Sequence, residues 1–220
     1  ARYPLADMLT ALSEASRENR TIIIGEDLGN VPPGFQDVMA ACNILSYRIF
    51  FFERTEAGFL APEDYPRAAL ACLSTHDLPT FRGWWRGDDI ALRKRFGLIS
   101  DAGAQMQDRS RQIERADLLK DLRATGRLSR EDAVSITPDD APPALISAVH
   151  AHLAQAPSRL FAARLEDLAG EVDPVNVPAT VDEYPNWRRK LSLPLDQLAE
   201  TPLFRDIVAA VSRARPRSGR

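Results

Sequence analysis

The sequence predicts an α/β protein whose parallel strands deliver acidic residues to one rim of a sheet or barrel. Three observations carry this. Apolar runs of strand length alternate with helical patterns, as in βαβ units. Ile22-Ile23-Ile24-Gly25 ends in Glu26-Asp27, and Cys72-Leu73-Ser74-Thr75 ends in His76-Asp77. Two further apolar runs, 47–52 and 159–165, are also followed by acids. Four such strands suit either a small doubly wound sheet or half of a (β/α)8 TIM barrel. The acidic strand ends favour the barrel, whose sites lie at the C-terminal rim.

Composition narrows the class. A chain of 220 residues allows one large domain or two small ones. With 45% apolar and 27% charged residues it is an ordinary globular sequence, not a disordered one. A net charge of −3 gives no electrostatic reason to expect nucleic acid or an anionic membrane as partner. No apolar run approaches the ~20 residues of a membrane span, and residues 1–20 lack a signal-peptide core. Cys42 and Cys72 sit in apolar stretches without metal-ligand spacing, which predicts buried free thiols and fits a reducing cytoplasm. The chain opens without Met, at Ala1-Arg2-Tyr3-Pro4, and a helical pattern follows at once. This predicts a piece of a longer protein.

The elements follow in order. Leu5, Met8, Leu9 and Leu12 share a helical face, so 5–17 is an amphipathic helix with Pro4 at its start. Thr21 to Gly25 is a β-branched strand ending at Glu26. Residues 29–34 are a loop and 35–42 a helix. Tyr47 to Phe52 is a second strand, 55–66 a loop, and Ala68 to Ser74 a third strand. Asp88 and Asp89 open a helix that closes on Arg93, Lys94 and Arg95 before Gly97, which suits the macrodipole at both ends. Residues 103–153 are further helices, with Leu118, Leu119 and Leu122 on one face, capping spacing at Ser129 and Asp132, and a last helix from Ala144 to Ala154. Arg159 to Leu165 is a fourth strand. A Pro-rich loop leads to a final helix from Pro202, with Phe204, Ile207, Val208 and Val211 on one face and a tail fraying after Arg213. The polar helical block reads as an insertion after the third strand. The division is therefore 1–87 for the βα units with the acidic tips, 88–156 for the insertion, and 157–220 for the last strand, loop and helix.

The chemistry rests on Glu26 and Asp77. A carboxyl at an apolar strand end is desolvated, which raises its pKa and suits a general acid; the competing reading is a turn cap by Glu26 or Asp27. His76-Asp77 could serve a triad, a metal or a polar substrate, or Asp77 could cap a helix before Leu78-Pro79. No Gly-x-Ser-x-Gly supports a triad. The other histidines, His150 and His152, fall in the helical block on different sides of a helix, where surface positions are expected. Two carboxylates at one rim meet the basic need of glycoside chemistry. Among the aromatics, Phe52 and Trp84 are the better candidates for a sugar-facing surface, while Phe51, Trp85 and Trp187 suit core packing.

Three motifs carry a family resemblance. Ile24-Gly25-Glu26-Asp27-Leu28-Gly29 with Val31-Pro32-Pro33 resembles the acid/base strand of the amylomaltases, or 4-α-glucanotransferases. Ser74-Thr75-His76-Asp77-Leu78-Pro79-Thr80 with Gly83-Trp84-Trp85 is similar to their second signature. Asn176-Val177-Pro178-Ala179-Thr180 with Pro185-Asn186-Trp187-Arg188-Arg189 is similar to their third. The ordered set covers the chain from about Tyr3 to about Leu191.

The resemblance implies a (β/α)8 barrel that cleaves an α-1,4 bond of a maltodextrin donor with retention. The glucan segment then passes to the 4-hydroxyl of glucose or another glucan. Glu26 matches the acid/base, Asp77 the carboxylate that stabilises the transition state, and His76 the histidine that binds the donor sugar. Asn176 matches a substrate-binding asparagine and Phe52 an acceptor-side aromatic. No metal or organic cofactor is implied. An α-glucan hydrolase on the same barrel, or a non-catalytic glucan-binding module, are the alternatives. The family's nucleophilic Asp lies in an Arg-x-Asp-His motif before the acid/base strand, and this sequence has no such motif. The expectation is therefore the C-terminal half of the barrel, strands five to eight, without its nucleophile. Ala179 stands where the family usually has glycine, and Pro174 where it usually has glutamine.

Overall fold

The computed structural model describes residues 3–216. The opening at Ala1-Arg2 and the end of the tail, 217–220, lie outside the described residues. The chain begins with helices α1 (Leu5–Asn19) and α2 (Phe35–Ala41) and strand β1 (Ser46–Ile49). A short hairpin, β2 (Arg54–Thr55) and β3 (Gly58–Phe59), precedes strand β4 (Ala69–Cys72). Helices α3 (Phe81–Arg86), α4 (Asp88–Arg95), α5 (Asp101–Ala124), α6 (Arg130–Ser135) and α7 (Pro143–Leu153) follow. The chain closes with β5 (Leu160–Ala162), α8 (Leu165–Ala169), α9 (Leu195–Leu198) and α10 (Pro202–Ala214).

The sheet is parallel, in the order β1-β4-β5. Ser46 to Ile49 pair with Ala69 to Cys72, and Leu70 to Cys72 pair with Leu160 to Ala162. β4 is thus paired on both sides, and its Ala69, Ala71 and Cys72 are buried. Small residues here let neighbouring layers approach closely. One layer is α7, buried over Leu145 to Leu153, with α10 packed along it through Ile207. Leu203, Phe204 and Val211 join this contact, whereas Val208, expected on the same face, is 43% exposed. Phe50, Phe81, Trp84, Trp85, Leu118 and Leu122 complete the core.

The first strand differs from expectation. Residues 21–25 make a single parallel bridge, Ile24 to Leu45, with Gly25 N donating to the Leu45 carbonyl (2.8 Å) and Leu45 N to the Ile23 carbonyl (2.9 Å). The far edge of this segment pairs with nothing among the described residues, so no ladder extends it. Ile22 and Ile24 remain exposed, and so does the apolar stripe of α1 at Leu5, Met8 and Leu12. The second strand is also shorter: Phe50 N makes a last bond to the Cys72 carbonyl (3.0 Å), and the chain then turns, with Phe52 N donating back to the Ile49 carbonyl (2.8 Å). The loop expected at 55–66 carries part of the hairpin and a 3-10 turn at Pro62–Asp64. β5 stops at Ala162, so Glu166 and Asp167 lie in the first turn of α8 rather than at a strand tip.

The helical block contains its expected helices, and Ser129 caps α6 by accepting from Asp132 N (2.9 Å). The surface positions expected for His150 and His152 are wrong: α7 is apolar on every side, and both rings are buried. Burial lowers the pKa of each, His152 to about 4, with Arg127 adding to that effect and Glu63 opposing it. The tail is tied down past Arg213, since Arg215 donates to the carbonyls of Ala156 (3.1 Å) and Arg159 (3.0 Å).

Candidate active site

The loop carrying His76 and Asp77 runs from the end of β4 to α3. Thr80 ends it: its hydroxyl accepts from Gly83 N (3.0 Å) and donates to the Val172 carbonyl (2.8 Å). The cap of α3 is therefore Thr80, and Asp77 is left free for another role. A Cβ at Gly83 would stand 2.4 Å from the Val172 carbonyl oxygen, so only glycine lets the 172–187 loop approach α3. From behind, Arg164 Nη1 donates to Ser74 Oγ (3.0 Å) and to the Leu78 (3.2 Å) and Pro79 (3.3 Å) carbonyls. Ser74 Oγ in turn donates to the Pro79 carbonyl (2.7 Å). Buried Asp167 accepts from Phe81 N (2.7 Å), and burial pushes its carboxyl pKa up, partly offset by His150 and Arg164.

This frame presents Asp77 half-exposed. Its Oδ1 accepts from Asn176 Nδ2 (2.6 Å), and its Oδ2 lies 3.3 Å from His76 Nε2. The His76 ring packs against Trp187, centroids 5.1 Å apart. The loop that supplies Asn176 is folded on Asn186, which accepts from Val177 N (2.9 Å) and donates to Thr180 Oγ1 (2.8 Å). Trp187 N donates to the Val175 carbonyl (3.0 Å). Ala179 (φ 68°) and Trp187 (φ 62°) both adopt the left-handed conformation. The second and third motifs thus form one contact unit, which brings Asn176 onto Asp77, beside His76, across 99 positions of sequence.

Glu26 behaves differently from expectation. It is exposed, so the desolvation predicted for it is absent in this chain. Its neighbour Asp27 is the buried acid, accepting from Ser46 Oγ (2.7 Å) and Tyr47 N (2.8 Å) and tying the 26–28 tip to β1. Tyr47 links this tip to β4. Burial raises the Tyr47 pKa, the Cys72 thiol beside it adds to this, and the charge of Glu26 adds further. Burial likewise pushes the Cys72 thiol up to about 11, which leaves it unreactive near neutrality.

A groove of about 410 Å³ opens beside Asp77. Its wall includes Phe51, Phe52, Asp77, Trp84 and Asn176, but neither Glu26 nor His76. Phe52 is 55% exposed, as a sugar-facing aromatic should be, whereas Trp84 is 4% exposed. Phe51 stacks on Trp84 (4.9 Å, 21°), so Phe51 offers the accessible face and Trp84 backs it. Trp187, expected in the core, is 63% exposed. Among the described residues no group of three or more His, Cys, Asp or Glu side chains converges as a metal site would.

The residues that sequence reasoning missed are those that hold the loop: Ser74, Thr80, Arg164, Asp167 and Asn186. Thr80 and Asn186 stood inside the motifs and carried a signal, a helix-capping type three residues before Gly83 and an amide in a turn. Arg164 and Asp167 act across 90 and 86 positions of sequence, and no local pattern marks them.

The family profile described as 4-alpha-glucanotransferase, glycoside hydrolase family 77, matches residues 1–196. The 4-alpha-glucanotransferase of Haemophilus influenzae is 30% identical over 216 residues, 97% of this chain and 30% of the relative. That of Mycobacterium bovis is 33% identical over 198 residues, 88% of this chain and 26% of the relative. The crystal structure of amylomaltase from Corynebacterium glutamicum superposes with a TM-score of 0.85 at 27% identity, over 96% of this chain and 31% of that one. An amylomaltase of Streptococcus agalactiae, solved with acarbose, shares the fold at a TM-score of 0.59 and 17% identity, over 96% of this chain and 36% of that one. The chain spans about a third of the length of these relatives. With its motifs in order and its fold matched, the chain belongs to the 4-alpha-glucanotransferase family.

Proposed function

We propose that the protein containing this chain is a retaining 4-α-glucanotransferase that moves an α-1,4-glucan segment from a maltodextrin donor to the 4-hydroxyl of glucose or another glucan. The observation that carries this is the Asp77 carboxylate, half-exposed at the mouth of a groove and gripped by Asn176 at 2.6 Å within a family match over 1–196. Glu26 protonates the departing glucan oxygen and later deprotonates the acceptor hydroxyl. Asp77 and Asn176 hydrogen-bond hydroxyls of the donor sugar more strongly as it flattens towards the oxocarbenium-like transition state. His76 holds the same sugar, and Phe52 lines the acceptor side. Trp84 contributes from beneath Phe51.

In this reading the chain forms strands five to eight of a (β/α)8 barrel and supplies two of three catalytic carboxylates. The parallel order of 23–25, β1, β4 and β5 supports that placement. The nucleophile is not among its motifs. The division at 1–87, 88–156 and 157–220 belongs to the same proposal. So does a cytoplasmic location, supported by two free thiols; no helix among the described residues is long and apolar enough to cross a membrane.

The test is Glu26→Gln in the protein containing this chain, assayed with maltotriose. Wild type should yield glucose and longer glucans, and the variant should lose about a thousandfold or more in transfer rate. Full activity in the variant sinks the assignment of Glu26. Products that are only shorter than the substrate would make the protein a hydrolase. The 220-residue chain alone should produce neither, since it lacks the nucleophile motif.

A further inference from the structure

The groove beside Asp77 continues past Phe52 into the helical block, where three charged residues of α4 and α5 complete its wall around Arg111. Arg111 is 7% exposed and is held from several directions. It donates to both carboxylate oxygens of Asp89 (2.9 and 3.1 Å) and to Glu114 Oε2 (3.2 Å), and its guanidinium lies 4.7 Å from the Trp84 ring centroid. Asp89 also accepts from Arg93 Nη2 (2.9 Å), and its carbonyl accepts from Arg93 Nε (3.2 Å).

The bonding leaves spare capacity where the wall meets solvent. Arg93, with 37% of its side chain exposed, has further N–H donors beyond the two it gives Asp89. Glu114 accepts once at each oxygen, from Ser110 and Arg111, and retains lone pairs. Phe51 presents an apolar ring backed by Trp84. An aromatic plate beside fixed donors and acceptors is what a sugar ring requires, since its faces carry C–H groups and its edges hydroxyls that both donate and accept. The extension and the Asp77 end share one continuous groove of about 410 Å³, in the range of small-ligand sites.

We propose that this extension is a glucan subsite: Phe51 stacks one pyranose ring, and Arg93 and Glu114 hydrogen-bond its hydroxyls, so that the helical block discriminates long glucans from short ones. The proposal rests on the transferase reading and deepens it. Arg111 is a positioning residue, fixing Asp89, Glu114 and Trp84 before the glucan arrives, so little order is lost on binding. The otherwise unexplained charge pairing of α4 with α5 is then the floor of the groove.

The test compares maltoheptaose with maltotriose as substrates of the protein containing this chain. Arg93→Ala removes donors from the groove without opening the core. Leu92→Trp, also on the wall, fills it without removing a polar contact. Arg93→Ala should lower the ratio of kcat/KM for maltoheptaose to that for maltotriose by about tenfold, the loss expected for one or two charge-assisted hydrogen bonds, and Leu92→Trp should lower it by about as much by filling the space of the ring. A ratio unchanged in both variants overturns the subsite. Wild-type protein that elongates neither glucan overturns the transferase reading instead. The subsite is then decided by maltoheptaose calorimetry, where a tenfold loss of affinity in Arg93→Ala sustains it and an unchanged affinity refutes it.

Discussion

The two acidic tips, 26–28 and 74–80, follow parallel segments that flank β1, yet they are held by different means. The first hangs from a single bridge at the sheet edge, and one buried carboxylate, Asp27, anchors it to β1. The second leaves β4, which is paired on both sides, and is fixed by Arg164, Thr80, Asp167 and Asn176. Sheet position explains the contrast. A central strand has neighbours that can each reach its following loop, whereas an edge segment has one.

The largest effect should come from removing the clamp. Arg164→Ala removes the charged donor that ties Ser74 Oγ to the Leu78 and Pro79 carbonyls, leaving the Ser74 to Pro79 bond as the remaining side-chain tie across this turn. We expect a loss of about 4 kcal/mol in urea unfolding. Hydrogen exchange should show the 74–80 amides opening while those of α7 stay protected. If the loss is under about 1 kcal/mol, the second tip is no better fixed than the first.

Acid should also weaken the second region. His150 and His152 sit in α7, and His150 shares a charge environment with Asp167, which holds Phe81 N. Burial keeps His152 neutral down to about 4, whereas an unfolded histidine protonates at ~6.5. Below ~6.5 the unfolded chain therefore gains a proton that the folded chain refuses. Stability falls between ~6.5 and about 4, by about 3 kcal/mol from His152. Asp167 acts with the opposite sign, because its raised pKa makes protonation in acid favour the fold. The two separate in His152→Leu, which should flatten the slope of urea-unfolding stability against pH; an unaltered slope would remove His152 from the account.

A smaller effect is expected at the first tip. Asp27→Ala leaves Tyr47 N and the buried Ser46 hydroxyl without their acceptor, at a cost of about 2 kcal/mol. The transfer rate should fall as well, since Glu26 is the adjoining residue. A variant with full transfer activity and lowered stability would show that the 26–28 tip is positioned from elsewhere in the protein.

The helix positions, the parallel order and the neighbourhood of His76 with Asp77 were legible because each rests on local periodicity or a compact motif, whereas the contact of Asn176 with Asp77 spans 99 positions and was not. The strand at 21–25 was legible as an apolar run, but a ladder needs a partner on the facing edge, and pairing is not a property of the run itself. His150 and His152 were misplaced because a helix apolar on every side gives no exposed face, and their spacing alone cannot report this. Trp84 and Trp187 changed places for a similar reason. Phe51 and Arg111 cover Trp84, and both contacts depend on distant segments.

The smallest expected effect concerns the loop that reaches over to Asp77. Ala179 has φ 68°, a conformation that crowds its Cβ against the following carbonyl and costs roughly 1–2 kcal/mol in a non-glycine residue. This accounts for the glycine usual there in the resembling motif. Ala179→Gly should relieve that strain, but glycine also makes the unfolded chain more flexible, which returns part of the gain. The net should be a stabilisation of about 0.5–1 kcal/mol, read as a small rise in urea midpoint at constant m. Thr180 adjoins this residue and is bonded through Asn186, which also holds Val177 N beside Asn176. If the strain served to aim Asn176 at Asp77, the more stable variant would transfer more slowly; if it is only a local cost, the variant gains stability at unchanged kcat. The second outcome would mean that Asn186 alone sets the aim of Asn176, so that the clamped tip owes nothing to backbone strain.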